Sequence, residues 1–293
     1  MNNLRRTLSL LLALVMLVAL GAFASAEDSA SAETSVTLTD EDVASLSYLN
    51  GQLRVGMECA YAPNNWQESE ASDTNVPIEN VPGAYAEGYD VQIARIIADQ
   101  LGLELVVVKM DWDGLIEALN QGQIDAIIAG MADTESRKEA INFTSPYHET
   151  VYALMVNAGT PYENATSLAD FNGASVLGQK DTALDWTIDQ IEGVNHLTAV
   201  ASVPDMIARL QQGTCDAIVI NLENAPGYLA SNPNFVVISF PEGEGLDPGF
   251  KGACVGLRKS DDALLGLADA VLATIDQEQR DELWDTALNN QPT

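Results

Sequence analysis

The fourteen residues from Leu115, Leu-Ile-Glu-Ala-Leu-Asn-Gln-Gly-Gln-Ile-Asp-Ala-Ile-Ile, align without a gap on Met-Ile-Ala-Arg-Leu-Gln-Gln-Gly-Thr-Cys-Asp-Ala-Ile-Val from Met206. Each copy reads as a helix stopped by a glycine and followed by an apolar strand. A repeat offset by 91 residues is too long for a solenoid unit, and predicts two α/β lobes of related topology. Ligands bind outside the carboxyl ends of the strands in open α/β sheets. The loops after the two repeat strands, Gly130–Asp133 and Asn221–Asn224, are therefore expected to face a common cleft. Asp125 and Asp216 read as structural members of the helix-to-strand connection. Around the first copy the pattern predicts strands at 53–57, 104–109 and 124–129 and helices at 89–101 and 112–121, with Gly102 and Gly122 at helix ends.

Charge narrows the function. With 13 Lys+Arg against 43 Asp+Glu the net charge is 13 − 43 = −30, and the five lysines are scattered, so there is no basic footprint for nucleic-acid phosphate or an anionic membrane surface. At 47% hydrophobic and 19% charged residues the chain has the material for a core and is not a disordered polyanion. The two histidines, His148 and His196, with no Cys/His cluster, point to packing or surface roles and to no metal or cofactor.

Arg5 and Arg6 lead an apolar run from Leu8 to Phe23 that ends in Ala24-Ser25-Ala26, the pattern of a secretory leader cleaved after Ala26. The alternative, an uncleaved anchor, would need about 20 apolar residues. Cleavage would bring the net charge to −30 − 2 = −32. No Cys near that point offers an acyl anchor, so export to the periplasm or the extracytoplasmic surface is expected. Residues 27–44 read as a flexible acidic leader. Three cysteines, Cys59, Cys215 and Cys254, allow at most one bridge, and their apolar settings favour buried thiols.

The loop Gly130-Met131-Ala132-Asp133 runs into Thr134, a helix N-cap, with Arg137 in the first turn. A basic residue there is electrostatically disfavoured unless it holds an anion such as a carboxylate; a surface pair with Glu135 or Glu139 is the other reading.

Gly88-Tyr89-Asp90-Val91-Gln92-Ile93-Ala94, Leu101-Gly102, Asp111-Trp112-Asp113-Gly114-Leu115-Ile116, Gly130-Met131 with Thr134-Glu135-Ser136-Arg137, and Phe143-Thr144-Ser145-Pro146-Tyr147 resemble, in order and spacing, the family 3 bacterial extracellular solute-binding proteins, amino-acid receptors of ABC importers. The resemblance runs from about Leu49 to Trp284 and is densest up to Tyr147. It implies a type 2 periplasmic-binding-protein fold, in which two α/β lobes joined by two hinge strands enclose a free L-amino acid. The implied segments are 45–157 for the first part of lobe 1, 158–245 for lobe 2 and 246–293 for the return, with crossings near 156–158 and 241–250.

Carried onto this sequence, the resemblance makes Arg137 the clamp for the ligand α-carboxylate, with the backbone N–H of Ala132 beside it and Met131 in the same loop. Across the cleft, Gln179, Asp181 and Thr182 match a segment that meets the same carboxylate, although Asp181 stands where the family usually has glycine. Gly130 C=O would accept from the ligand ammonium. The family's acidic ammonium ligand is replaced by Asn221, and Glu223 two residues on is the substitute, the alternative being a solvated acid. Tyr61, Trp66 and Trp112 match aromatic positions around the ligand side chain, and Glu58 can meet a side-chain cation, which favours a polar or basic ligand. A monomer that delivers to a membrane permease is expected, and no enzyme. A dehydratase using Glu58 or Glu223, or a sensor module, would be alternatives on the same fold.

Overall fold

In the computed structural model residues 35–241, 243–250 and 252–292 are described; the expected leader peptide over 1–26 lies outside them. The first lobe is built on a five-stranded sheet in the order Glu104–Lys109, Gln52–Met57, Ala126–Ile127, Gly256–Leu257, Asn142–Phe143. The first three strands are parallel and Gly256–Leu257 runs antiparallel to its neighbours. The second sheet has the same plan: Asn195–His196, Ser175–Leu177, Ala217–Asn221, Tyr152–Asn157, Phe235–Ile238. There the first three strands are again parallel and Tyr152–Asn157 is antiparallel to both its neighbours. Each sheet has its own buried core.

The repeat is the shared hub of the two lobes. Its helices are Leu115–Asn120 and Val203–Gln211, and each is ended by a glycine in the left-handed region, Gly122 at φ 73° and Gly213 at φ 65°. That conformation lets Gln123 N–H reach Ala118 O at 2.9 Å and Thr214 N–H reach Arg209 O at 3.0 Å, a helix stop that a side chain would strain. Asp125 Oδ2 then accepts the Arg54 N–H at 3.1 Å, and Asp216 Oδ2 accepts the Ser175 N–H at 2.8 Å. Both aspartates therefore tie the repeat strand to the neighbouring parallel strand, and Asp125 also pairs with Arg258 at 3.1 Å.

Helix Tyr89–Gln100 and strand Glu104–Lys109 lie as the pattern predicts. The 112–121 segment begins as a 3-10 turn, Trp112–Gly114, and the 124–129 segment pairs as a strand only over Ala126–Ile127.

Three boundaries differ from the sequence expectation. Helix Asp40–Ser45, closed by a Thr39/Asp42 capping box, and Val36 and Leu38, packed on the first core, lie within the stretch expected to be a flexible leader. Tyr152–Asn157 belongs to the second sheet, so the first crossing falls between the strand His148–Glu149 and Tyr152 rather than near 156–158. A strand this rich in apolar residues reads the same in either lobe, and only its pairing partners assign it. On the return, Leu246 and Phe250 pack in the second core, and chain re-entry is marked by Gly252–Ala253 pairing with His148–Glu149. Cys59, Cys215 and Cys254 are buried and unbridged.

Candidate functional site

The carboxyl ends of the repeat strands open onto a cleft between the two sheets. Ten of the sequence-predicted residues line it: Glu58, Tyr61, Trp112, Gly130, Ala132, Arg137, Gln179, Thr182, Asn221 and Glu223.

Arg137 sits in the short helix Glu135–Ala140, capped by Thr134. Its guanidinium donates to Ala132 O at 2.9 Å in the first lobe and to Asp181 O at 2.8 Å in the second. It also lies 5.2 Å from the Trp112 ring centroid. Burial pulls its pKa down to about 10, so the group stays cationic at neutral pH with two carbonyls and a π face for partners.

Gly130 is held from behind. Its N–H donates to the Tyr147 hydroxyl at 3.0 Å, and that hydroxyl donates to Asp90 Oδ1 at 2.6 Å. Asn65 Nδ2 donates to the other Asp90 oxygen at 2.7 Å. Gly130 has φ 65°, and a Cβ there would stand 3.0 Å from the Tyr61 ring, so both backbone and space demand glycine. Burial raises the Asp90 pKa, against the hydrogen bonds from Tyr147 and Asn65.

The Tyr61 hydroxyl crosses the cleft to Asn221 Oδ1. Gln179 Nε2 lies 3.4 Å from Glu58 Oε2, and Lys180 Nζ is 2.6 Å from Asp113 at the rim. The two lobes are thus in contact around the cleft. Burial, reinforced by Asp111 and Asp113 and opposed by Gln179 and Lys109, raises the Glu58 pKa to about 7.

At the opposite corner, four buried polar atoms lack hydrogen-bond partners: His148 Nε2, Thr150 Oγ1, Glu223 Oε1 and Asn224 Oδ1. Such atoms are costly to leave unpaired, and two of them belong to Thr150 and Glu223, which line the cleft.

Three sequence-predicted residues do not line the cleft. Trp66 lies in the strand Asn65–Glu68, paired to Tyr85–Glu87, with its ring in the first core at 3% exposure and its indole N–H donating to Glu68 at 2.7 Å. The resemblance implied a place around the ligand side chain, but the strand turns the ring inward. Met131 is buried in the first core and contributes a carbonyl to Cys254 N–H at 2.8 Å. Asp181 exposes its side chain toward Lys180 and offers only its carbonyl. Its φ of 59° is the left-handed conformation for which glycine is the easier residue.

Sequence reading missed Asn64, Thr150, Tyr152, Leu184 and Phe250 in the lining. Thr150, Tyr152 and Phe250 flank the crossings, so a correctly placed hinge would have found them. Asn64 stood in the same loop as Tyr61.

A family model for the bacterial extracellular solute-binding proteins, family 3, matches residues 53–287. A probable histidine-binding protein of Campylobacter jejuni is 27% identical over 89% of this chain and 88% of its own. An L-arginine-binding protein of Pseudomonas aeruginosa is 27% identical over 75% and 81%. Among solved structures, an amino acid ABC transporter substrate-binding protein from Streptococcus pneumoniae bound to L-arginine superposes with a TM-score of 0.73 at 25% identity, covering 86% of this chain and 99% of the other. The repeat-built lobes and the cleft between them, together with a match over most of the sequence, show that the chain belongs to the bacterial extracellular solute-binding proteins of family 3.

Proposed function

We propose that the chain is an extracytoplasmic receptor that closes on one free L-amino acid and delivers it to an ABC importer in the membrane, acting as a monomer without an acyl anchor. The observation that carries this is Arg137, a half-buried guanidinium shared between the lobes whose ordered partners carry no formal charge. A planar carboxylate is the ligand such a fork accepts. The backbone N–H of Ala132 and the Gln179–Thr182 segment are the further donors for that carboxylate. The ammonium goes to Gly130 C=O and to Glu223. Asn221 is less suited, because its Oδ1 already accepts from Tyr61.

Glu58, Tyr61 and Trp112 then surround the ligand side chain with one carboxyl group and two π faces. That favours a polar or basic side chain, with Lys, Arg or ornithine ahead of Gln or His. Relatives named for histidine and arginine support the same class. The role is binding rather than turnover: the amino acid should be recovered unchanged after incubation, whereas conversion would favour a dehydratase using Glu58.

The test is a thermal-shift screen of the twenty amino acids followed by calorimetry on Arg137→Lys and Arg137→Ala. A ligand at 100 times its Kd adds about 2.7 kcal/mol of stability. Either substitution should remove about 2–5 kcal/mol of binding, and near-wild-type affinity would overturn the carboxylate assignment.

A further inference from the structure

We propose that His148 positions Glu223 for the ligand ammonium, an inference that rests on the reading of Glu223 just given. His148 belongs to the strand His148–Glu149 that pairs with Gly252–Ala253, so it stands where both chain crossings meet. Its ring stacks on Trp284 of the helix Gln277–Asn290, with centroids 4.2 Å apart and planes 18° apart, and leans on Tyr89 at 5.1 Å. With its faces occupied, the imidazole can act only through its edge. Nε2 lies 3.5 Å from Glu223 Oε1.

Neither atom has a hydrogen-bond partner, and each is the polar neighbour the other has at hand. The remaining Glu223 oxygen accepts the Val151 N–H at 3.3 Å. Glu223 therefore arises from the second lobe, in the turn after the repeat strand, yet both its oxygens are addressed by residues of the first crossing. The imidazole aims the carboxylate, and the aromatic stack of Tyr89 and Trp284 aims the imidazole. Recognition of the ammonium is in this way coupled to the hinge rather than to the second lobe alone.

The experiment compares wild type, His148→Phe, His148→Gln, Glu223→Gln and the double variant His148→Phe/Glu223→Gln by calorimetry. The probes are L-arginine, L-histidine and L-glutamine, each beside its counterpart with hydrogen in place of the α-ammonium. His148→Phe keeps the stack on Trp284 but removes the polar edge facing Glu223, so thermal stability should hold while amino-acid affinity falls about tenfold, the scale of one polar contact to a charged group. The deaminated probes should bind both proteins alike, His148→Gln should recover much of the loss, and the double variant should be no weaker than Glu223→Gln. Equal losses for amino acids and deaminated probes would reduce His148 to packing and overturn the proposal. A loss in Glu223→Gln with none in His148→Phe would overturn it while leaving the ammonium reading intact. No loss in Glu223→Gln would overturn both.

Discussion

The Tyr147 hydroxyl donates to Asp90 Oδ1 at 2.6 Å in the first-lobe interior, and the hydroxyl oxygen of Tyr147 accepts the Gly130 N–H at 3.0 Å. Two sequence motifs nearly sixty residues apart thus meet behind the binding loop. Tyr147→Phe leaves the Gly130 N–H and an Asp90 oxygen without this partner. The expected outcome is a loss of about 1–3 kcal/mol in urea unfolding, with weaker amino-acid binding because the Gly130 carbonyl is no longer held.

Glu58 predicts a pH dependence of definite sign. Its folded pKa of about 7 lies above the ordinary 4.5, so between those values the folded state keeps a proton that the unfolded state has lost. Its contribution is fully present below about pH 4.5 and fades as pH rises through 7. Wild type minus Glu58→Gln should show a stability difference that shrinks by on the order of 2 kcal/mol over that window, read from denaturant curves at several pH values. A cationic ligand side chain favours the ionised carboxylate, so arginine affinity should rise between pH 5.5 and 7.5 while glutamine affinity stays flat in calorimetry.

The paired aspartates of the repeat should differ in weight. Asp216→Ala removes a tie to the Ser175 N–H, at a cost of about 1–2 kcal/mol. Asp125→Ala removes the equivalent tie to Arg54 and also one of the two carboxylates paired with Arg258, which keeps Asp261 at 2.8 Å, so a larger loss of about 2–4 kcal/mol is expected. Equal midpoints in urea would refute the difference.

Lys180 and Asp113 bridge the cleft rim at 2.6 Å, but with side chains about half exposed. An exposed pair contributes about 0–1 kcal/mol. Lys180→Ala should therefore change ligand affinity only a few-fold, and less at high salt. A loss as large as that of Arg137→Ala would mean that the rim pair holds the lobes together.

Ligand-dependent closure is checked by small-angle scattering. The contacts from Tyr61 to Asn221 and from Arg137 to Asp181 join the lobes only when they are together, so amino acid should compact the protein. Identical profiles with saturated binding would show that the lobes do not move.

What the sequence determined by itself was set within a dozen residues of chain. The glycine stops at Gly122 and Gly213, the Thr134 cap, the strand Glu104–Lys109 and the duplication of the helix-to-strand unit follow from backbone geometry and hydrophobic period. The clustering of Gly130, Arg137 and Glu223 at one cleft followed from where repeat strands end. Tertiary structure decided what depends on distant partners. Tyr152–Asn157 is apolar enough for either lobe, and only its pairing with Ala217–Asn221 and Phe235–Ile238 places it in the second. Trp66 is drawn into the core by its pairing with the strand Tyr85–Glu87, across an intervening excursion that local context does not reveal. His148 meets Glu223 from 75 residues away, because the two crossings converge there and pack the imidazole against Trp284. Local geometry is encoded by neighbours in the chain, whereas the direction in which a buried side chain points is set by whatever the fold brings against it.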